Sequence, residues 1–200
     1  MKNTDKLFQL SGVDAVLVVS EKNRFYFTGF ASTFGYLLLF PGNKSTFITD
    51  PRYFEMAQSL VADGVEVVQI ANGLSANQTL AETLAAHEVT TLGFEDTELT
   101  VKEYLDFEKA LHEYKLTPVG DNINTVRSVK SDEEIALIAK AQSITDEAFA
   151  DLLKVLKAGM TEIEVRIELE YLMAKRGAEG LAFDTIIASG VNGSKPHAHP

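Results

Sequence analysis

The residues best placed to do chemistry are His197 and His199, in the run Lys195-Pro196-His197-Ala198-His199-Pro200. They follow a glycine-rich bend, Gly190 to Gly193, and before it a strand-like stretch from Ala182 to Ser189. A histidine at the end of a strand and loop can reach a cleft, and its near-neutral pKa lets it give or take a proton at cellular pH. Two other readings stand beside that one. A polar loop also presents histidines to water with no chemistry attached. On a strand, His-x-His turns both rings to one face, as a metal pair requires. With no further histidine or acidic residue in range, two ligands make no metal site. The acidic side chains between Asp121 and Asp184 lie mostly on two helices at solvent-face spacing, and none has the spacing of a ligand on a strand.

Composition removes whole classes of function. There are 29 acidic and 18 basic side chains, a net charge of −11, and no cysteine. Without cysteine there is no disulfide scaffold, thiolate–zinc module or cysteine nucleophile. The acidic balance opposes nucleic-acid binding, which needs clustered Lys and Arg against phosphates, and it opposes anionic membrane surfaces. The densest apolar runs, Ala15 to Val19 and Tyr36 to Phe40, are a strand each, far short of the roughly 20 residues that span a bilayer. A cytoplasmic location is expected, with no nucleic-acid and no membrane partner. No glycine-rich phosphate loop appears, and Gly190 to Gly193 is too short to cradle a phosphate.

The elements that must carry the histidines read as follows. Asp14 to Ser20, Arg24 to Thr28, Tyr36 to Phe40, Ser45 to Thr49, Val65 to Ile70 and Thr91 to Phe94 are strand-like, and Pro41 to Lys44 turns a hairpin. Pro51 opens a helix to about Ala62, as proline is tolerated at the first helical position. Ser75/Gln78, Thr100/Glu103, Ser131/Glu134 and Thr161/Glu164 match the capping box, in which hydroxyl and carboxyl or amide satisfy each other's backbone N–H. Each cap contributes about 1 kcal/mol. After Leu116 to Gly120 the alternation of strand and helix gives way to two long helices, Ser131 to about Lys157 and Thr161 to about Arg176, broken at Gly159. Ile135, Ile138, Ala139, Gln142, Ala148, Phe149 and Leu152 predict one core-facing stripe on the first of them. The domain boundary is expected near 120–130, giving domains 1–122 and 123–200. Aromatic residues from Phe25 to Phe30 are expected in the core, and Asp50 with Arg52 as a structural pair.

Five motifs in register resemble the Xaa-Pro peptidases of the creatinase and prolidase superfamily. They are Asn23 to Phe30, which is similar to that family's Tyr-Leu-Thr-Gly-Phe signature, Thr49 to Tyr53, Val126 to Ile135, Gly159 to Glu164, and Phe183 to His197. The resemblance runs along nearly the whole chain. It implies an α/β fold: a creatinase/prolidase-type N-terminal mixed-sheet domain, then the start of a pita-bread (α+β) catalytic domain. His197 falls on the family's active-site histidine, which lies outside the metal shell and hydrogen-bonds substrate near the scissile carbonyl. His199 is its neighbour. The resemblance also implies two divalent metal ions, manganese or cobalt, whose ligands follow the active-site histidine and so lie beyond residue 200.

The resemblance therefore implies the N-terminal portion of a metal-dependent Xaa-Pro dipeptidase, inactive as these 200 residues alone. Its substrate would be a proline-containing dipeptide or short peptide, and its assembly a homodimer. The Ser189 to His197 form and the compact N-terminal domain tilt toward dipeptidase over Xaa-Pro aminopeptidase. A non-catalytic creatinase-like platform for basic partners and a creatinase-type amidinohydrolase are the alternatives.

Overall fold

A computed structural model describes residues 4–200, which form two compact units divided between Val129 and Lys130. The first unit runs α1 (Asp5–Ser11), β1 (Ala15–Val18), α2 (Glu21–Thr28), β2 (Tyr36–Phe40), β3 (Lys44–Thr49), α3 (Pro51–Leu60), β4 (Val65–Gln69), α4 (Ala76–Ala85), β5 (Thr91–Phe94), α5 (Val101–Ala110), β6 (Lys115–Pro118) and α6 (Gly120–Ser128). Its six strands form one sheet in the order β4-β3-β2-β1-β5-β6. The β1–β2 and β2–β3 pairs are antiparallel, whereas β1–β5, β5–β6 and β3–β4 are parallel. This is the mixed-sheet α/β domain that the resemblance implies.

Strand β1 explains the layering. All its residues are buried, as a strand covered on both faces requires. The period of two sends Val16 and Val18 to one core and Ala15 and Leu17 to the other. Leu7, Phe27, Ala57, Ile123 and Val126 cover the first face from α1, α2, α3 and α6. Leu80, Leu84 and Phe107 cover the second from α4 and α5. Because Ile123 and Val126 are core residues of the first unit, α6 stays with it. The structural division thus comes seven residues after position 122 (129 − 122).

Where a strand is expected over Arg24 to Thr28, the chain is helical. The buried face of α2 is Asn23, Arg24, Phe27 and Thr28, a 3.6-residue stripe hidden from hydropathy because three of its four members are polar. Those groups are bonded: Arg24 donates to the carbonyls of Val19 and Ser32, and Thr28 Oγ1 to Arg24 O at 2.8 Å. Gly29, at φ 70°, stops the helix with its N–H on Phe25 O. Phe27 and Phe30 are core as expected, while Phe25 faces out. Asp50 caps α3 by accepting from Arg52 N, and it also holds the Arg52 guanidinium at 2.7 Å.

Glu95 ties the sheet to this corner. Fully buried just past β5, it accepts hydrogen bonds from the Val19 amide, the Ser20 amide at 2.8 Å, the Ser20 hydroxyl at 2.9 Å and the Asn23 side-chain amide. The C-terminal ends of two parallel strands are thereby joined through one carboxylate.

The second unit consists of α7 (Asp132–Val155), α8 (Glu162–Lys175) and a 3-10 turn, Gly190–Ser194. All four expected capping boxes are formed, at Ser75, Thr100, Ser131 and Thr161. Helices α7 and α8 meet through Ala148, Leu152 and Leu172, and Arg176 closes the pair by binding Asp151. Only Ala148 and Leu152 of the predicted stripe are buried. Ile138 and Phe149 remain 56% and 52% exposed. The strand expected over Ala182 to Ser189 is not formed: strands need a partner, and every strand among the described residues belongs to the first unit's sheet. No helix among those residues is long and apolar enough to cross a membrane.

Replacing Glu95 with Gln puts an amide NH2 where one carboxylate oxygen accepts two donors. Buried donors left unpaired cost about 1–3 kcal/mol each, so Glu95→Gln should lower the stability of the first unit by about 3 kcal/mol. Urea unfolding checks this through a lower midpoint with unchanged slope.

Candidate active site

The segment that carries the histidines is held by the start of α8. After α7, Gly159 takes φ 95° and turns the chain. Thr161 then caps α8: its hydroxyl accepts from Glu164 N at 3.2 Å, and Glu164 Oε2 accepts from Thr161 N at 2.7 Å. Glu162 is thus fixed in the first helical turn, with its carboxylate directed away from the capping box.

That carboxylate reaches 27 residues ahead. Glu162 Oε1 accepts from Ser189 N at 2.6 Å, and its two oxygens accept from Asn192 Nδ2 at 3.2 and 2.9 Å. A longer bond of 3.3 Å comes from Ser189 Oγ. The Ser189 amide first, and the Asn192 side chain second, hold the Glu162 carboxyl below the usual carboxylate range. Asn192 passes the constraint on: its Oδ1 accepts from Lys195 Nζ at 2.8 Å, and its carbonyl accepts from Lys195 N at 2.9 Å. Lys195 O in turn accepts from Ala198 N at 3.3 Å.

His197 lies in the turn that follows, exposed, and His199 is exposed two residues on, with buried Ala198 between them. The geometry presents both rings outward on a short segment anchored at both its ends. It does not bring them to a third ligand: among the described residues no three His, Asp or Glu side chains cluster as a metal ion requires. Divalent metal ions therefore do not fit the residues present here.

Sequence reasoning finds the histidines, and its motifs from Gly159 to Glu164 and from Phe183 to His197 contain Glu162 and Asn192 without giving either a role. Glu162 reads as one more acid on a solvated helix face, and Asn192 as a loop residue. No local pattern links side chains 30 positions apart.

Both units match known families in chain order. Residues 1–129 match the creatinase/prolidase N-terminal domain and residues 136–200 the metallopeptidase family M24. The chain belongs to the creatinase/prolidase family. Among creatinase/prolidase relatives, it is 38% identical over 191 residues to the uncharacterized peptidase YqhT of Bacillus subtilis, covering 96% of this chain and 53% of that protein. The chain thus spans about half the length of the curated relatives it matches. Its structure is similar to that of an Xaa-Pro dipeptidase from Bacillus anthracis, with TM-score 0.87 and 35% identity over 96% of this chain and 54% of the other. It is also similar to an X-Pro aminopeptidase from Thermotoga maritima, with TM-score 0.85 and 32% identity over 96% and 55%.

The depressed Glu162 pKa fixes the sign of a pH effect. A carboxylate stabilised in the folded state contributes above its unfolded value, about 4.3 for Glu, and loses that contribution as pH falls through the lower folded value. The Ser189 amide NMR resonance should stay constant from neutral pH to about 4.5 and then move, with its midpoint below about 4.3. A midpoint at or above the ordinary value would contradict the geometry.

Proposed function

We propose that the protein carrying these residues hydrolyses the peptide bond preceding proline, as an Xaa-Pro dipeptidase acting on proline-containing dipeptides. The observation that carries the proposal is the likeness of both units, in order, to Xaa-Pro peptidases at 35% identity. Proline lacks a backbone N–H and fixes φ, so an enzyme for this bond cannot grip the substrate as a regular extended strand. It must hold the carbonyl and the chain on either side.

His197 supplies one such hold. Its ring N–H donates to the scissile carbonyl oxygen and strengthens that bond as negative charge develops there, an interaction worth more in the transition state than in the ground state. In the whole enzyme, divalent metal ions held by residues outside this chain would supply the activation of water. The proposal assigns manganese or cobalt to the whole enzyme and a homodimer to its assembly, in the cytoplasm. Light scattering that gives only monomer would count against the dimer.

A second reading is Xaa-Pro aminopeptidase, favoured by the near-equal likeness to the Thermotoga maritima structure. The full gene product, supplied with manganese or cobalt, decides between them. Release of proline from Ala-Pro supports the dipeptidase, and cleavage confined to a longer Xaa-Pro peptide supports the aminopeptidase. No cleavage of either refutes both. In the active enzyme, His197→Ala should lower kcat about 100- to 1000-fold, as loss of an oxyanion donor does, with a smaller change in KM.

A further inference from the structure

The two ends of the Ser189 to His199 segment differ in how they are held. Its far end has one buried side chain, Ala198. Its near end is bonded to a single charged group, Glu162, which takes a backbone amide and a side-chain amide of the segment at once. Glu162 is on α8, the element after the Gly159 break, and its carboxylate is not part of the Thr161 capping box. Its bonds therefore serve the segment and not the helix.

We propose that Glu162 is the positioning residue for His197, acting through Asn192 and Lys195; the inference rests on the role given to His197 above. The path is continuous. Asn192 cannot rotate without losing its bonds to Glu162, because its Nδ2 faces both carboxylate oxygens. With Nδ2 so fixed, Oδ1 is presented to Lys195 Nζ. Lys195 is two residues from His197, and its backbone is bonded on one side to Asn192 O and on the other to Ala198 N. The intervening Pro196 fixes φ at its own position, which leaves the Lys195–His197 stretch few ways to move independently of that frame. A negative charge on Glu162 also offsets the Lys195 ammonium, whose field lowers the Glu162 pKa further.

A merely structural role and a positioning role differ in what they move. Glu162→Gln keeps the size of the side chain and one acceptor but places an NH2 against Asn192 Nδ2. In the active full-length enzyme it should lower kcat about 10- to 100-fold, the scale of a small misplacement of a catalytic group. The KM for Ala-Pro should stay within about twofold. Exchanging the pair, Glu162→Gln with Asn192→Asp, restores an amide–carboxylate contact in the opposite sense and should recover most of kcat. A swap that recovers nothing, or a loss confined to KM, would overturn the proposal.

The four histidines also give a readout that needs no activity. In the 200-residue chain, Glu162→Gln should shift the ring NMR signals of His197 and speed hydrogen exchange at the Ser189 amide, while those of His87 and His112 in the first unit stay put. Asn192→Ala cuts the path beyond Glu162 and should shift His197 while leaving Ser189 protected. If the full-length protein cleaves no Xaa-Pro peptide, the functional proposal fails while these spectra still test the coupling. Unchanged His197 signals in both variants would sink the coupling itself.

Discussion

A single buried carboxylate organises the first unit. Parallel strands cannot be joined by a tight turn, so the ends of β1 and β5 meet only because the chain returns after a long crossover. At that meeting point backbone amides at the end of β1 have no sheet partner, and α2 begins at once. Glu95 accepts from both of those amides and from the Ser20 and Asn23 side chains. The orientation of α2 follows, and with it the burial of Phe27 and the placement of Arg24 on two carbonyls. Asp14 does the equivalent work at the other end of the same strand pair, accepting from the Thr90 and Thr91 amides at 3.0 and 2.8 Å.

Elements whose signal is local were legible in the sequence. The hairpin β2–β3, β5, and the helices opened by the capping boxes at Ser75, Thr100, Ser131 and Thr161 lie where hydrophobic period and end chemistry put them. What escaped depends on partners distant in sequence. Helix α2 looked like a strand because Asn23, Arg24 and Thr28 fill core positions with polar groups; Arg24 and Thr28 are satisfied by nearby backbone carbonyls, and Asn23 by Glu95, 72 positions away. Strand β6 and helix α6 gave too few periodic residues to read, although Ile123 and Val126 fix α6 to the core. In the opposite direction, Ala182 to Ser189 has the composition of a strand but pairs with none of the strands among the described residues.

The candidate site divides the same way. His197 is visible because histidine is rare here and its setting is distinctive. Glu162 and Asn192 each stand in a motif legible in the sequence, but their contact is visible only in three dimensions, since nothing local ties an acid in a first helical turn to an asparagine 30 positions on. Their combination is informative because one carboxylate spends its lone pairs on a distant segment instead of on its own helix end. The α7–α8 pair supplies the rigid base for this, with Ala148, Leu152 and Leu172 packed between the helices and Arg176 closing them.

The bond between Glu95 and Ser20 spans 75 positions of chain, and that separation governs the order of events during synthesis. Hairpins and capped helices close within microseconds, and β1 pairs with β2 across only the short α2 connection, within the first 40 residues. Its other edge waits for β5, and closing so long a loop carries an entropic cost that the local elements do not face. Until residue 95 leaves the ribosome, β1 is a fully apolar strand with one open edge, the state most prone to pair with a neighbouring chain. The same contact that completes the sheet therefore also ends the interval in which a nascent chain would benefit from a chaperone.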